Sequence, residues 1–240
     1  MRPDGLPELV ARAASLIPEA GRAVLGLAGP PGAGKSTLAT RLVAALGERA
    51  AYVPLDGFHL SNAQLDRLGL RSRKGSEPSF DVWGYEALLR RLTAEPTREV
   101  YVPDFDRTLD EPVAARHHVP ATARLVVTEG NYLACAGPGW RAARRLMAEV
   151  WYVDAPPEVR DARLMRRHTT YGRSPEAARA WIDANDAPNA ALVEGSRAHC
   201  DLVLDLPDAA SPAAPPAGRA DGAGRGERRD GAGGVTGRAV

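Results

Sequence analysis

A glycine-rich run with one lysine and one hydroxyl, Gly29-Pro30-Pro31-Gly32-Ala33-Gly34-Lys35-Ser36, is the part of this 240-residue chain best suited to hold phosphate. It fits the pattern G-x-x-x-x-G-K-[ST], and Thr37 follows it. Phosphate needs a concave set of backbone N–H donors, and glycine lets the backbone curl close without a side chain in the way. Lys35 is expected to place a point charge on the terminal phosphates of a nucleotide. The Ser36 hydroxyl is expected to take one site on Mg²⁺. Gly29, Pro30, Gly32, Ala33, Gly34, Lys35, Ser36 and Thr37 form the expected nucleotide cradle, and the helix behind it adds its positive N-terminal end.

Two acids stand where phosphoryl chemistry could use them. Asp56 follows the apolar run Ala51-Tyr52-Val53-Pro54-Leu55 and is the candidate base for an acceptor hydroxyl. Glu129 ends Arg124-Leu125-Val126-Val127-Thr128 and is a candidate for the metal shell or the substrate. Arg163, Arg166, Arg167 and Arg173 suggest a basic lid. Arg167 and Arg173 are the candidates to touch phosphate and stabilise charge during transfer. His59, Asp106, Arg107 and Tyr132 are further substrate-pocket candidates. His117 and His118 are expected on an exposed loop, and no zinc site is expected there.

These residues need elements to position them. Ala23-Val24-Leu25-Gly26-Leu27-Ala28 reads as a buried parallel strand just before the glycine run. Leu38, Leu42, Val43 and Leu46 recur at helical spacing after it, with Gly47 as a C-terminal cap. Further strands are expected at 51–55, 124–132, 149–154 and 201–205, with a short extended piece at 100–103. Helices are expected over 5–18, 83–92 and 140–147, through the arginines at 163–167, from Ser174 onward and over 188–198. Ser61 is expected to cap a short helix. Residues 70–82, with Arg71, Arg73 and Lys74, read as a solvated loop, and 108–119 as a polar connection.

Alternating strands and helices imply an α/β three-layer fold: a mostly parallel, five-stranded sheet with helices on both faces and an arginine-bearing lid. In such sheets the strand C-terminal ends line the ligand crevice, so the glycine loop, Asp56 and Glu129 should converge there. The domain is expected over residues 1–207. Residues 208–240 are Ala, Gly, Pro, Arg and Asp with almost no large apolar side chain, and are expected to be disordered. Net charge is +1, which favours neither a nucleic-acid nor a membrane partner. Two cysteines at no metal-type spacing, no signal peptide and no bilayer-length apolar run lead to the expectation of a soluble, cytoplasmic protein, and a homodimer is expected from how common two-fold assemblies are.

Taken together, residues 29–37, Asp56-Gly57-Phe58-His59 and Glu129-Gly130-Asn131-Tyr132 resemble the phosphoribulokinase/uridine kinase/pantothenate kinase group of P-loop kinases. The likeness is nearest to its bacterial nucleoside/nucleotide kinase branch, through Pro103-Asp104-Phe105-Asp106-Arg107, Asp110-Glu111-Pro112, Arg166-Arg167-His168 and Asn185-Asp186-Ala187-Pro188-Asn189. It covers about residues 20–206. The resemblance implies an ATP- and Mg²⁺-dependent kinase acting on a small-molecule hydroxyl. It implies Asp56 as base, Glu129 near metal and substrate, and Arg167 and Arg173 on phosphate. Pro103 to Arg107 is only loosely like the nucleoside-gripping segment of uridine kinases, and the lid is shorter. Nucleoside-like, sugar-like and pantothenate-like acceptors therefore stay open, with a non-kinase P-loop ATPase or nucleotide-binding switch as the alternative. A GTPase would carry an Asn-Lys-x-Asp motif, which neither Lys35 nor Lys74 provides.

Overall fold

The computed structural model describes residues 5–205. The expected domain end at 207 and the expected disordered tail over 208–240 lie outside the described residues. In chain order the elements are α1 (Leu6–Ser15), β1 (Ala23–Ala28), α2 (Lys35–Leu46), β2 (Ala50–Pro54), α3 (Asn62–Arg67), α4 (Val82–Ala94), β3 (Val100–Asp106) and β4 (Glu111–Val119), followed by β5 (Leu125–Glu129), α5 (Pro138–Arg144), β6 (Glu149–Asp154), α6 (Pro157–Thr170), α7 (Pro175–Trp181), α8 (Ala187–Glu194) and β7 (Leu202–Asp205).

Five strands form one parallel sheet in the order β2-β5-β1-β6-β7. Side chains alternate across a strand, so each strand feeds two cores. Val24, Val53, Val126, Val150 and Tyr152 face one side and pack with Tyr85, Leu89 and Leu92 of α4 and Trp140 of α5. Leu25, Leu27, Leu125, Val127, Trp151 and Val153 face the other side and pack with Leu9 of α1 and Leu38, Leu42 and Leu46 of α2. Burial on both faces explains why these strands read as continuous apolar runs. It also makes the three-layer arrangement the way to cover them.

Local signals hold at several ends. Ser61 caps α3, its side chain accepting from the Gln64 N–H, and Gly47 closes α2 with φ 60°. No helix among the described residues is long and apolar enough to cross a membrane.

The sequence reading needs correction at one main place. Residues 108–119 are not a loose connection. β3 and β4 form an antiparallel hairpin separate from the five-stranded sheet. The sequence Glu-Pro-Val-Ala-Ala-Arg-His-His-Val of β4 shows no apolar run because only Val119 of it is buried. His117 and His118 therefore sit on a strand, not a loop. His117 Nε2 lies 2.9 Å from Asp104 Oδ2, and its ring meets Tyr52 edge-on. A smaller correction concerns the helix expected over 188–198: α8 stops at Glu194, and α7 reaches it through a π-helical turn at residues 182–186.

Candidate active site

The sheet register aligns the site. Leu27 of β1, Glu129 of β5 and Pro54 of β2 lie side by side. Gly29, Asn131 and Asp56 each come two residues later, so three loops leave the same edge together.

At Gly29 φ is 146°, and an added Cβ would meet the Val153 carbonyl oxygen at 2.1 Å. Only glycine fits there. Gly34 holds the N-cap of α2 and brings no side chain to it, which leaves the first-turn amides to a ligand. Lys35 is the first residue of α2 and is only 7% exposed. Its Nζ donates to the Pro30 carbonyl (2.9 Å) and to Asn131 Oδ1 (2.7 Å). Burial pushes its pKa down to about 8, against the pull of Glu129 and Asp56. The Gly32 and Ala33 carbonyls accept from Arg163, and the Thr37 carbonyl accepts from Thr40.

Glu129 is 6% exposed. Its Oε1 accepts from the Ser36 hydroxyl at 3.1 Å and from the Tyr52 hydroxyl at 2.8 Å. Burial, and then the charge of Asp56, raise its pKa. Asp56 sits in a 3₁₀ turn after β2, and Arg107 donates to its Oδ2 at 3.0 Å. Burial pushes Asp56 upward, but the charges of Arg107, Arg167 and Lys35, joined by His59 when its ring is protonated, hold it below the usual carboxylate range. The two acids are thus driven in opposite directions, a pattern typical of sites where they do different work. His59 Nδ1 donates to the Asp56 carbonyl at 2.8 Å, and its ring packs beside Phe80 and Phe105. Burial lowers its pKa, which favours the neutral imidazole.

One cleft of ≈ 750 Å³ collects Lys35, Asp56, His59, Arg107, Glu129, Arg167 and Arg173. Arg167 comes from α6, with its guanidinium Nη2 3.9 Å from Asp186 Oδ1. Arg173 precedes α7 and lies 3.8 Å above the Trp181 ring. Arg163, also expected to belong to the lid, turns back onto the loop carbonyls.

Two of the substrate-pocket candidates do not line this cleft. Asp106 accepts from the Thr108 and Leu109 amides and from Arg116, so its carboxylate shapes the hairpin turn. Tyr132 is buried, and its hydroxyl donates to the Gly75 carbonyl at 2.7 Å. Conversely, the segment expected to be a solvated loop contributes Arg71 and Lys74 to the lining. Lys74 binds Asn62 Oδ1 and Asp110 and sits 4.9 Å over the Phe105 ring. Sequence reasoning missed Tyr52, Asn131, Asn185, Asp186 and Asn189 as residues of the site. For Asn131 a signal was available, two residues after a strand-ending acid. Asn185, Asp186 and Asn189 belong to a segment that carried the family resemblance but was given no site role, and for Tyr52 the signal is a contact distant in sequence.

The model of the Phosphoribulokinase / Uridine kinase family matches residues 24–206. A proposed uridine kinase of Schizosaccharomyces pombe is 36% identical over 208 residues, spanning 82% of this chain and 88% of that protein. An Escherichia coli protein named YggC is 32% identical over 190 residues, spanning 77% and 78%. Among solved structures, a proposed fructose transport system kinase from Silicibacter sp. TM1040 superposes with TM-score 0.77 at 35% identity, covering 84% of this chain and 99% of that one.

Proposed function

The chain belongs to the phosphoribulokinase/uridine kinase family, and from that premise we propose that it transfers the γ-phosphoryl group of ATP, with Mg²⁺, to a hydroxyl of a small nucleoside-like or sugar-like acceptor. The observation that carries this reading is the convergence of Lys35, the Ser36–Glu129 pair and the Asp56–Arg107 pair in one cleft.

The donor set fits the nucleotide and its metal. Glycine-lined amides and a buried ammonium suit the phosphates, and Ser36 Oγ and a Glu129 oxygen 3.1 Å apart suit a hard cation and its waters. Bound MgATP supplies the transferable phosphoryl group and neutralises part of its charge. The chain's own residues do the rest. Lys35 and the first turn of α2 grip the phosphates. Arg167 faces the same cleft and can offset the charge that develops during transfer. Arg107 fixes one Asp56 oxygen, which orients the carboxylate to receive the acceptor proton. Low basicity is no obstacle, because a loose phosphoryl transfer asks for positioning more than for a strong base.

Two of the similar proteins carry different names, a uridine kinase for one and a fructose transport system kinase for the other. The test is therefore ADP formation from MgATP across nucleosides, pentoses, fructose and simple alcohols. Asp56→Asn should lower acceptor-dependent turnover roughly 100-fold or more, within the usual worth of a positioned base, and leave ATP affinity near the wild-type value. Undiminished turnover in that variant removes Asp56 as base. ATP consumption indifferent to every acceptor favours a non-kinase ATPase instead.

A further inference from the structure

A helix lining the cleft carries a π-helical turn over residues 182–186, where the Ala187 N–H reaches back five residues to the Ile182 carbonyl. A π turn is rare and inserts one residue into an α-helix, which rotates the following side chains relative to those before. Here three polar side chains end up buried along the cleft: Asn185, Asp186 and Asn189, exposed by only 3%, 7% and 5%. Buried polar groups are normally satisfied. Asp186 Oδ2 binds His168 Nε2 at 2.8 Å. Asn189 Nδ2 donates to the Gly75 carbonyl at 3.2 Å. Asn185 Oδ1 is buried and has no partner.

An amide oxygen accepts hydrogen bonds and cannot bind a phosphate oxygen, so the missing partner is a donor. Its position favours the acceptor over the nucleotide's phosphates. Asn189, one turn on, touches Gly75, which adjoins Lys74, and Lys74 lies over Phe105 beside His59 and the Asp56 turn. Resting on the kinase reading above, we propose that Asn185 Oδ1 accepts a hydrogen bond from a second hydroxyl of the phosphoryl acceptor, one that is not phosphorylated. The acceptor is then a polyhydroxylated compound, and Asn185 is a specificity-determining contact for it.

The test compares wild type with Asn185→Leu, close in shape, and Asn185→Ala. Ribose, fructose, uridine and glycerol are the probes, each with a deoxy analogue. Removing an unpartnered buried oxygen should raise the ligand-free melting temperature of the Leu variant. ATP affinity should stay unchanged, and the KM of the working polyol should rise about 10-fold, the worth of one hydrogen bond to an otherwise unpaired group. The analogue lacking the contacted hydroxyl should show the same KM on wild type and variant. Melting temperatures that fall in both variants make the amide structural and overturn the proposal. So does a loss confined to ATP affinity, which would put the contact on the adenine amino group, or turnover of monohydroxyl alcohols alone. A wild type that binds ATP but is neither turned over with nor thermally shifted by any polyol sinks this inference while leaving the phosphate-loop reading intact. A wild type that binds no ATP sinks both.

Discussion

Lys35 offers the most quantitative test of the site, because its burial predicts how nucleotide affinity depends on pH. The displacement of its pKa from 10.5 to about 8 corresponds to about 3 kcal/mol held against the charged form in the ligand-free protein. The sign follows from proton counts. Below pH 8 the lysine is protonated whether the chain is folded or not, and the native state carries the full penalty. Between about 8 and 10.5 the unfolded chain keeps the proton that the native state has lost, so stability rises with pH across that window. Nucleotide phosphates reverse the preference by supplying negative charge to the buried ammonium, so above pH 8 the protein must take up a proton to bind. The dissociation constant for MgATP should therefore weaken about tenfold for each further pH unit, and stand about tenfold above its neutral value at pH 9. Equilibrium binding from pH 7 to 9.5, with a parallel denaturation series, reads both effects. Lys35→Arg keeps its charge throughout and should lose the slope. Wild-type affinity that stays flat to pH 9.5, or an Arg variant with an equal slope, refutes the account of a desolvated lysine.

Three other perturbations probe separate links. Ser36→Ala and Glu129→Gln should each raise the Mg²⁺ concentration needed for half-maximal turnover about tenfold, the scale of a lost ligand-supporting contact; a metal titration at saturating ATP checks this, and unchanged curves remove the pair from the metal site. Gly57→Ala should disturb the hairpin, because its Cβ would meet the Pro103 carbonyl oxygen at 2.3 Å and the carbonyl carbon at 2.4 Å; overpacking of this kind costs roughly 1–3 kcal/mol, read by denaturant unfolding, and should weaken acceptor binding as Arg107 moves away from Asp56. Tyr85→Phe breaks the buried 2.7 Å bond between Tyr85 and Thr128 Oγ1 and leaves the threonine unpaired, for a loss of about 1–3 kcal/mol with turnover retained.

How far the sequence revealed this molecule depended on how local each signal was. The glycine loop, the strands on either side of it and the acids at their ends announce themselves within a few residues, because a strand buried on both faces must be apolar throughout and must end where the ligand begins. Asp56 and Glu129 were readable for that reason. The hairpin was not. Its outer face is exposed, so β4 never develops an apolar run, and its role depends on Gly57 letting Pro103 approach. Asp106 and Tyr132 had the right chemistry for a pocket, but turn amides and the Gly75 carbonyl claim them first. Asn185, Asp186 and Asn189 resisted for a different reason. Nothing in the composition of residues 182–186 announces a π turn, and the partners of Asp186 and Asn189, His168 and the Gly75 carbonyl, lie outside their own helix.

The partners of the two principal cations divide the work of the cleft. Arg107 is neutralised by Asp56, so its charge goes into holding that carboxylate in place and keeping it ionised. Lys35 is held by a backbone carbonyl and an amide oxygen, both uncharged. Neutral partners fix the direction of the ammonium without cancelling its charge, so the field of Lys35 remains for an incoming phosphate. Had Asn131 been an aspartate, the lysine would be easier to bury and harder to use: its pKa would rise, the ligand-free protein would gain stability, and the nucleotide would have to compete with a carboxylate for the same charge. Asn131→Asp should accordingly raise the ligand-free melting temperature and weaken MgATP binding in the same protein. A variant that binds ATP as tightly as wild type would mean that the polarity of Lys35's partner does not tune the site.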